Sequence, residues 1–292
     1  MFTGVYPALI TPFKEDGKID FAAMEKIIKA LLATGIDGIV LLGTTAETPT
    51  LSAEEKKEIV EFATKLIPQD KKVIIGIGSN STESTVKAGK EFLQYNPDAF
   101  LVVTPYYNKP NPSGLIAHYK KVAELGKPIL VYHIPGRTGL KVPVKVMQKL
   151  VEEVPLIKGV KESDYDINHV TESCVKLSDK INILCGNDDM YLQMQPMGCT
   201  GIISAASNVL AKVFVDMYKN KGTEKSFETF KKAYDVIGAC YYETNPTCAK
   251  YIMSKLGLCR EDVRLPLGPL SEETKKRIDA VLEKTDKNLL LG

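Results

Sequence analysis

A lysine at the end of a short apolar segment is the first candidate for chemistry in this chain. Lys161 closes the segment 157–161. The alternation of a β-strand would place its side chain on the same face as Ile157 and Gly159, with Lys158 on the other face. Withdrawal from water favours the uncharged amine, which can attack a carbonyl carbon. The position alone is also compatible with Lys161 being an ordinary solvent-exposed lysine.

Arginine is rare in this chain, which makes the position of one arginine informative. The arginines are residues 137, 260, 264 and 277, whereas lysine is the usual cation. Arg137 lies in a loop bounded by proline and glycine, where its planar, bidentate donors would suit recognition of a carboxylate. An arginine that only stabilises the loop is the alternative.

Hydroxyl side chains follow several other apolar segments. Tyr106 and Tyr107 lie in a loop interrupted by prolines, which favours a role in binding. Tyr132 ends the segment 129–132 and could enter a proton-transfer chain, with core packing as the alternative. Thr44 offers both a donor and an acceptor. These residues add proton transfer to the candidate chemistry.

Metal, nucleotide and cofactor chemistry have weak support. His118 and His169 fall in helical patterns and His133 follows Tyr132, with no metal-ligand spacing among the three histidines and no carboxylate cluster beside them. The segment 76–78 lacks the third glycine of a dinucleotide fingerprint and the lysine of a P-loop. We therefore expect neither a metal nor a cofactor.

Eight short apolar segments alternate with helical patterns and must position these residues. Each is predicted to be a buried strand: 5–10, 38–42, 73–77, 100–104, 129–132, 157–161, 181–185 and 201–204. Ser52 and Glu55 have the spacing of a capping box that begins one of the helices. Eight such units over about 225 residues predict an α/β fold of the (β/α)8 barrel type, whose active site lies at the carboxyl ends of the strands.

The strand pattern stops after residue 208, and helical patterns cover 225–242, 246–256 and 271–284. We predict a (β/α)8 catalytic barrel at 1–224 and a C-terminal helical region at 225–292, packed on the barrel as a small appendage. The sequence contains no Ser/Gly-rich linker that would mark two independently moving domains.

Composition limits the class of partner. The 292 residues are 44% hydrophobic and can bury a sizeable core. The 38 basic and 36 acidic side chains give a net charge of +2 and are spread along the chain, which argues against nucleic-acid and membrane partners. Without a recognisable leader or an apolar run of membrane-spanning length, a cytoplasmic location is expected. The six cysteines form no C-x-x-C pair and are expected to be buried thiols.

Four segments together resemble a known family. They are Gly43-Thr44-Thr45-Ala46-Glu47, Thr104-Pro105-Tyr106-Tyr107-Asn108, Tyr132-His133-Ile134-Pro135-Gly136-Arg137-Thr138-Gly139 and Gly159-Val160-Lys161-Glu162. In this order they resemble the dihydrodipicolinate synthase family of pyruvate-dependent class I aldolases, from residues 2–4 to 264–267. The resemblance implies condensation of pyruvate with L-aspartate 4-semialdehyde through a lysine Schiff base, in lysine and diaminopimelate biosynthesis.

The resemblance also implies roles for individual residues. The catalytic set would be the nucleophile and a proton relay: Lys161, then Tyr132, Thr44 and Tyr107. A neighbouring subunit would supply Tyr107, within a homotetramer built from tight dimers. The substrate-binding set would be side chains for the two carboxylates and backbone groups that line the site: Thr45 for pyruvate, Arg137 for the semialdehyde, and Gly186 and Ile203.

Many members of the resembled family are inhibited by lysine, and here the corresponding regulatory site looks incomplete. Asn80 and Tyr106 match it, but Ser84 stands where a glutamate would hold the effector's ammonium, and Lys56 stands where a histidine is found. We therefore expect little or no inhibition by lysine. Ala46 also replaces a glycine, which could alter its loop because glycine tolerates a positive φ that alanine resists.

Two other functions stay open at this point. A second pyruvate aldolase of the same superfamily, such as an N-acetylneuraminate lyase or a 2-keto-3-deoxy-sugar aldolase, would share the lysine and the tyrosine but bind polyols. A catalytically silent barrel that binds a keto acid as a regulator would belong to another class. Arg137 and the pair Thr44 and Thr45 favour the semialdehyde.

Overall fold

The structure is a computed structural model that describes residues 1–291. All eight predicted strands are confirmed, with their ends shifted by a few residues. The strands are β1 Gly4–Pro7, β2 Gly38–Leu41, β3 Lys72–Gly76, β4 Ala99–Val103, β5 Ile129–His133, β6 Ile157–Glu162, β7 Asn182–Cys185 and β8 Gly201–Ser204.

Helices separate the strands and continue after β8. They are α1 Phe21–Ala33, α2 Ala53–Leu66, α3 Thr82–Phe92, α4 Pro112–Ala123, α5 Pro135–Thr138, α6 Val144–Glu153, α7 Ile167–Leu177, α8 Tyr191–Met194, α9 Ser207–Lys219, α10 Glu224–Ala239, α11 Thr247–Lys255 and α12 Glu272–Lys284. The predicted capping box begins α2: Ser52 Oγ accepts from the Glu55 amide at 3.1 Å, and a Glu55 carboxylate oxygen accepts from the Ser52 amide at 2.9 Å. The last three helices confirm the three late helical patterns.

The eight strands lie in one sheet in the order β1-β8-β7-β6-β5-β4-β3-β2. The pairings from β3 through β8 are parallel. Strands that follow one another in sequence are therefore neighbours, and the carboxyl ends of neighbouring strands face the same way. The fold is the predicted α/β (β/α)8 barrel, followed in the sequence by the C-terminal helices.

The chain divides into two compact units. The first, Met1–Thr3 with Lys72–Ile203, has a core built from fully buried aliphatic residues of successive strands, such as Val102, Val131 and Ile183. The continuous burial of these strands explains why their sequences read as apolar runs without alternation.

The second unit is Gly4–Lys71 with the described residues from Ser204 onward. Within it, the buried side chain of Asn208 at the start of α9 accepts from the Ile10 amide at 3.3 Å and donates to the Ala8 carbonyl at 2.7 Å. This side chain supplies partners for backbone groups that continue β1, and so fastens α9 to that segment.

The predicted functional division into residues 1–224 and 225–292 stays a prediction, and Gly292 lies outside the described residues. Among residues 1–291, none of the helices combines the length and the apolar character that crossing a membrane requires.

Candidate active site

Lys161 and Tyr132 are register partners on the neighbouring strands β5 and β6. Both side chains are buried, and Lys161 Nζ lies 4.1 Å from the centre of the Tyr132 ring. Lys158 of the same strand is exposed, as the predicted alternation requires. The first unit therefore holds a largely buried primary amine against a tyrosine, at the strand ends where barrel enzymes place their chemistry.

Gly186 gives the lysine its room. It follows β7, and its amide donates to the Glu162 carbonyl at 2.7 Å. A Cβ at this position would lie 2.0 Å from Ser163 Oγ and 3.0 Å from Lys161 Cε. Any side chain here would push against the lysine, so glycine is required by close approach and not by an unusual φ. Ile203 lies in β8 and is fully buried.

A buried cluster behind the lysine was missed by sequence reasoning. The sequence predicted no carboxylate cluster beside the histidines, and the structure places one carboxylate, that of Glu162, between His133 and His169. His133 Nδ1 is 2.8 Å from Glu162 Oε1, and His169 Nε2 is 3.7 Å from Glu162 Oε2. The signal that was missed is the alternation of side chains along a strand. His133 directly follows Tyr132 and Glu162 directly follows Lys161, so His133 and Glu162 share the face opposite to that of Tyr132 and Lys161.

The electrostatics of this cluster favour an ionised carboxylate. Burial by itself raises the pKa of Glu162, but the hydrogen bond from His133 and the nearby ring of His169 outweigh it and lower the pKa to about 2. The nearby carboxylate of Glu162 raises the pKa of His169. At neutral pH the carboxylate is therefore a hydrogen-bond acceptor held inside the protein.

The same three side chains are close enough to be considered as metal ligands. Their ligand atoms all lie within 4.8 Å of one another. However, the Val142 amide donates to His133 Nε2 at 3.1 Å, so the neutral ring carries its proton on Nδ1 and donates it to Glu162. A metal bound to Nδ1 would require the ring proton to lie on Nε2. The N–H group at Nε2 and the N–H group of Val142 would then face each other. This hydrogen-bonding pattern does not suit a metal site.

The loops that follow β4 and β5 carry Tyr107 and Arg137. Arg137 is an exposed residue of α5. The Tyr107 amide donates to the Thr138 carbonyl at 3.4 Å. Tyr107 has a φ of +71°, and its side chain is 88% exposed. The loop thus displays this tyrosine outward, away from the core of its own chain.

The residues predicted to regulate the protein lie on exposed segments. The Asn108 side chain donates to the Asn80 carbonyl at 2.7 Å, which links the loop after β3 to the loop that carries Tyr106. Ser84 is exposed in the first turn of α3, and Lys56 is partly exposed in α2. Position 84 therefore carries a serine hydroxyl and no carboxylate, as the sequence already indicated.

Thr44 and Thr45 lie in a short 3₁₀ helix of the second unit, after β2. Thr45 is buried, and its hydroxyl oxygen accepts from the Asn245 side chain at 3.0 Å. Ala46 ends this helix, and the left-handed residue is its neighbour Glu47, with a φ of +56°. The replacement of glycine by Ala46 therefore creates no strain of the expected kind.

A second feature that sequence reasoning missed lies directly beneath this loop. Lys250 Nζ is 2.6 Å from Glu47 Oε1, and both side chains are fully buried. The other oxygen of Glu47 accepts from the Arg264 amide at 2.9 Å, and Lys250 also donates to the Asp262 carbonyl at 2.6 Å. This buried ion pair fixes the end of the loop that begins at Thr44.

Comparison with known proteins places these features in a family. A model of the dihydrodipicolinate synthetase family matches residues 1–285. The chain belongs to this family. It is 40% identical over 287 residues to a 4-hydroxy-tetrahydrodipicolinate synthase of Methanocaldococcus jannaschii, and 37% identical over 288 residues to one of Brachyspira hyodysenteriae. Both alignments cover 97% of this chain and 98% of the relative.

Solved structures of the family agree with this. A crystal structure of dihydrodipicolinate synthase from Aquifex aeolicus is 36% identical, with a TM-score of 0.94 and coverage of 99% of each chain. Membership of the family thus extends over the whole fold, including the C-terminal helices.

Proposed function

We propose that this family member is a 4-hydroxy-tetrahydrodipicolinate synthase, a lyase that condenses pyruvate with L-aspartate 4-semialdehyde through an imine on Lys161. The observation that carries the proposal is the buried Lys161 amine 4.1 Å from the Tyr132 ring centre, at the carboxyl end of β6. The full-length relatives are named for the product of this condensation. The reaction would serve lysine and diaminopimelate biosynthesis, and the cytoplasmic location stays a prediction.

The proposed chemistry follows from a buried primary amine that lies over the ring of a tyrosine. Lys161 attacks the carbonyl carbon of pyruvate, and loss of water leaves an imine. The imine withdraws electrons, so the adjacent methyl group loses a proton and the resulting enamine carbon attacks the aldehyde carbon. The semialdehyde's own amine then replaces Lys161, which closes the ring and frees the enzyme. Tyr132 would pass protons during these steps.

The remaining roles come from the family resemblance and stay predictions. Thr44 would join the proton relay and Thr45 would bind the pyruvate carboxylate. Arg137 would hold the semialdehyde carboxylate, and its exposed position after a strand end is compatible with contact to a ligand. Gly186 and Ile203 would line the site with backbone groups.

We also propose that the active form is a homo-oligomer, a tetramer built from tight dimers. The support is Tyr107, whose outward display would let it complete the relay of a neighbouring subunit. Coexpressed Tyr107→Phe and Lys161→Ala chains should then regain activity in mixed dimers, because each site would draw its two groups from different chains. If proven mixed dimers show no recovery of activity, Tyr107 acts in the active site of its own chain.

Regulation by lysine is expected to be weak. Ser84 lacks the charge that would hold the effector's ammonium, and loss of a charge-assisted partner costs roughly 1.5 to 3 kcal/mol. A titration of the initial rate with lysine measures this, and strong inhibition below millimolar concentration would contradict the roles given to Ser84, Asn80, Tyr106 and Lys56.

The deciding experiment is reduction with borohydride in the presence of pyruvate. It should trap one adduct per chain at Lys161, since reduction makes the imine irreversible. Lys158→Ala is the matched control, because it removes an exposed lysine of the same strand and should leave trapping unchanged. Trapping elsewhere, or none in an active preparation, would remove the mechanism. Faster cleavage of a sialic acid or keto-deoxy sugar would move the assignment to another aldolase.

A further inference from the structure

We propose that His133 and Glu162 are a positioning pair that holds Tyr132 and Lys161 at a fixed separation. Neither residue is assigned a role by the chemistry above, and both side chains point away from the reacting amine. The inference rests on the proposed role of Lys161 as the imine-forming lysine.

The strand register places this pair next to the reacting pair. Tyr132 is the partner of Lys161, and His133 is the partner of Glu162. Because side chains alternate along a strand, the first pair faces the site and the second pair faces the surrounding helices. The side-chain hydrogen bond of 2.8 Å between His133 and Glu162 therefore links β5 to β6 one residue beyond the reacting groups.

Every hydrogen-bonding atom of the His133 ring is used, which locks its orientation. Nδ1 donates to Glu162, and Nε2 accepts from the Val142 amide at 3.1 Å. Val142 follows the loop that carries Arg137, so the ring also fastens the far end of that loop to β5. A ring with one donor and one acceptor, both satisfied, has a single favoured tautomer.

The Glu162 carboxylate is locked in the same way. The oxygen that accepts from His133 also accepts from the Asp164 amide at 2.9 Å, where the chain leaves β6. The side chains of His133 and Glu162 are 0% and 1% exposed, so water cannot replace either partner. The pair thus connects both strand ends to the segments that follow them.

His169 is a neighbour of the pair and not a member of it. Its Nε2 lies 3.7 Å from Glu162, beyond ordinary hydrogen-bond length, and its ring packs on His133 with centres 4.9 Å apart. Asp164 and Lys141 also act on its charge. Its replacement should therefore disturb the charge of the cluster without opening the link between β5 and β6.

Rates of imine formation on folded protein test this role. His133→Phe keeps an aromatic ring but removes both hydrogen bonds, and should slow borohydride-trappable imine formation at saturating pyruvate at least about tenfold, because small displacements of reacting groups have large effects on rate. The KM for pyruvate should change less than kcat. Glu162→Gln still offers an acceptor to His133 and to the Asp164 amide, and should stay within about threefold of the wild-type rate.

Two further variants separate positioning from stability. His118→Phe is the matched control, because it removes another buried histidine of the same unit, bonded through Nδ1 to the Thr82 hydroxyl at 2.9 Å. It should form the imine at the wild-type rate. The double variant His133→Phe with Glu162→Met replaces both buried partners by apolar groups, so it should fold even where the single variant does not, yet stay slow.

Each outcome decides the proposal. Wild-type rates in folded His133→Phe or in the double variant would overturn it, and so would an equal slowing in His118→Phe. Failure of the proposed function looks different, because the wild-type protein itself would then trap no imine at Lys161.

Discussion

Lys250→Met should destabilise the protein severely, because it leaves a carboxylate buried without its cation. Glu47 is fully buried. In this variant its carboxylate would still accept a hydrogen bond from the Arg264 amide. Removing one partner of a buried ion pair costs roughly 3 to 5 kcal/mol. Native proteins have only about 5 to 15 kcal/mol of stability in total. At roughly 2 to 4 °C per kcal/mol, the midpoint of thermal unfolding should fall by about 6 to 20 °C.

Thermal and urea unfolding measure this effect, and the chain offers two controls. Lys255→Met removes a lysine of the same helix that pairs with Asp279 at 3.1 Å while 45% exposed, and such a pair contributes about 0 to 1 kcal/mol. Glu47→Gln combined with Lys250→Met removes both charges and should recover much of the lost stability.

The pattern across the three variants is the test of the argument. If Lys250→Met and Lys255→Met lower the unfolding midpoint equally, burial does not set the cost of losing the cation. If the double variant is as unstable as Lys250→Met, the loss comes from packing of the lysine stem and not from the stranded charge of Glu47.

Three further predictions concern the first unit. Gly186→Ala should abolish imine formation by crowding Lys161, whereas Gly268→Ala, with nothing within 4 Å of the added Cβ, should be silent; equal trapping in both would contradict the close approach. The Glu162 pKa is lowered from 4.5 to about 2, so the unfolded chain binds more protons in this range. The stability that this ionised carboxylate contributes should be present above pH 4.5 and lost as the pH falls to about 2, and acid unfolding of Glu162→Gln should lack this loss. Arg137→Ala should damage use of the semialdehyde by about 2 to 5 kcal/mol while pyruvate trapping persists, and a parallel loss of trapping would argue against a carboxylate-specific role.

Local sequence patterns were sufficient for the fold and for the central lysine. Most strands of the barrel are buried along most of their length, so they appear as short apolar segments. The helices between them carry their own start signals, such as the capping box of Ser52 and Glu55. The alternation within β6 separated Lys161 from Lys158 correctly. These features depend on residues within a few positions of one another, which is why the sequence alone determined them.

The partners of buried polar groups were decided only by the tertiary structure. Glu162 meets His133 because two strands align in one particular register, and Glu47 meets Lys250 across 203 residues of sequence. Nothing local distinguishes these side chains from solvated charges. Their pairing follows from the cost of burying a charge without a partner, and that cost exists only once packing has removed the water.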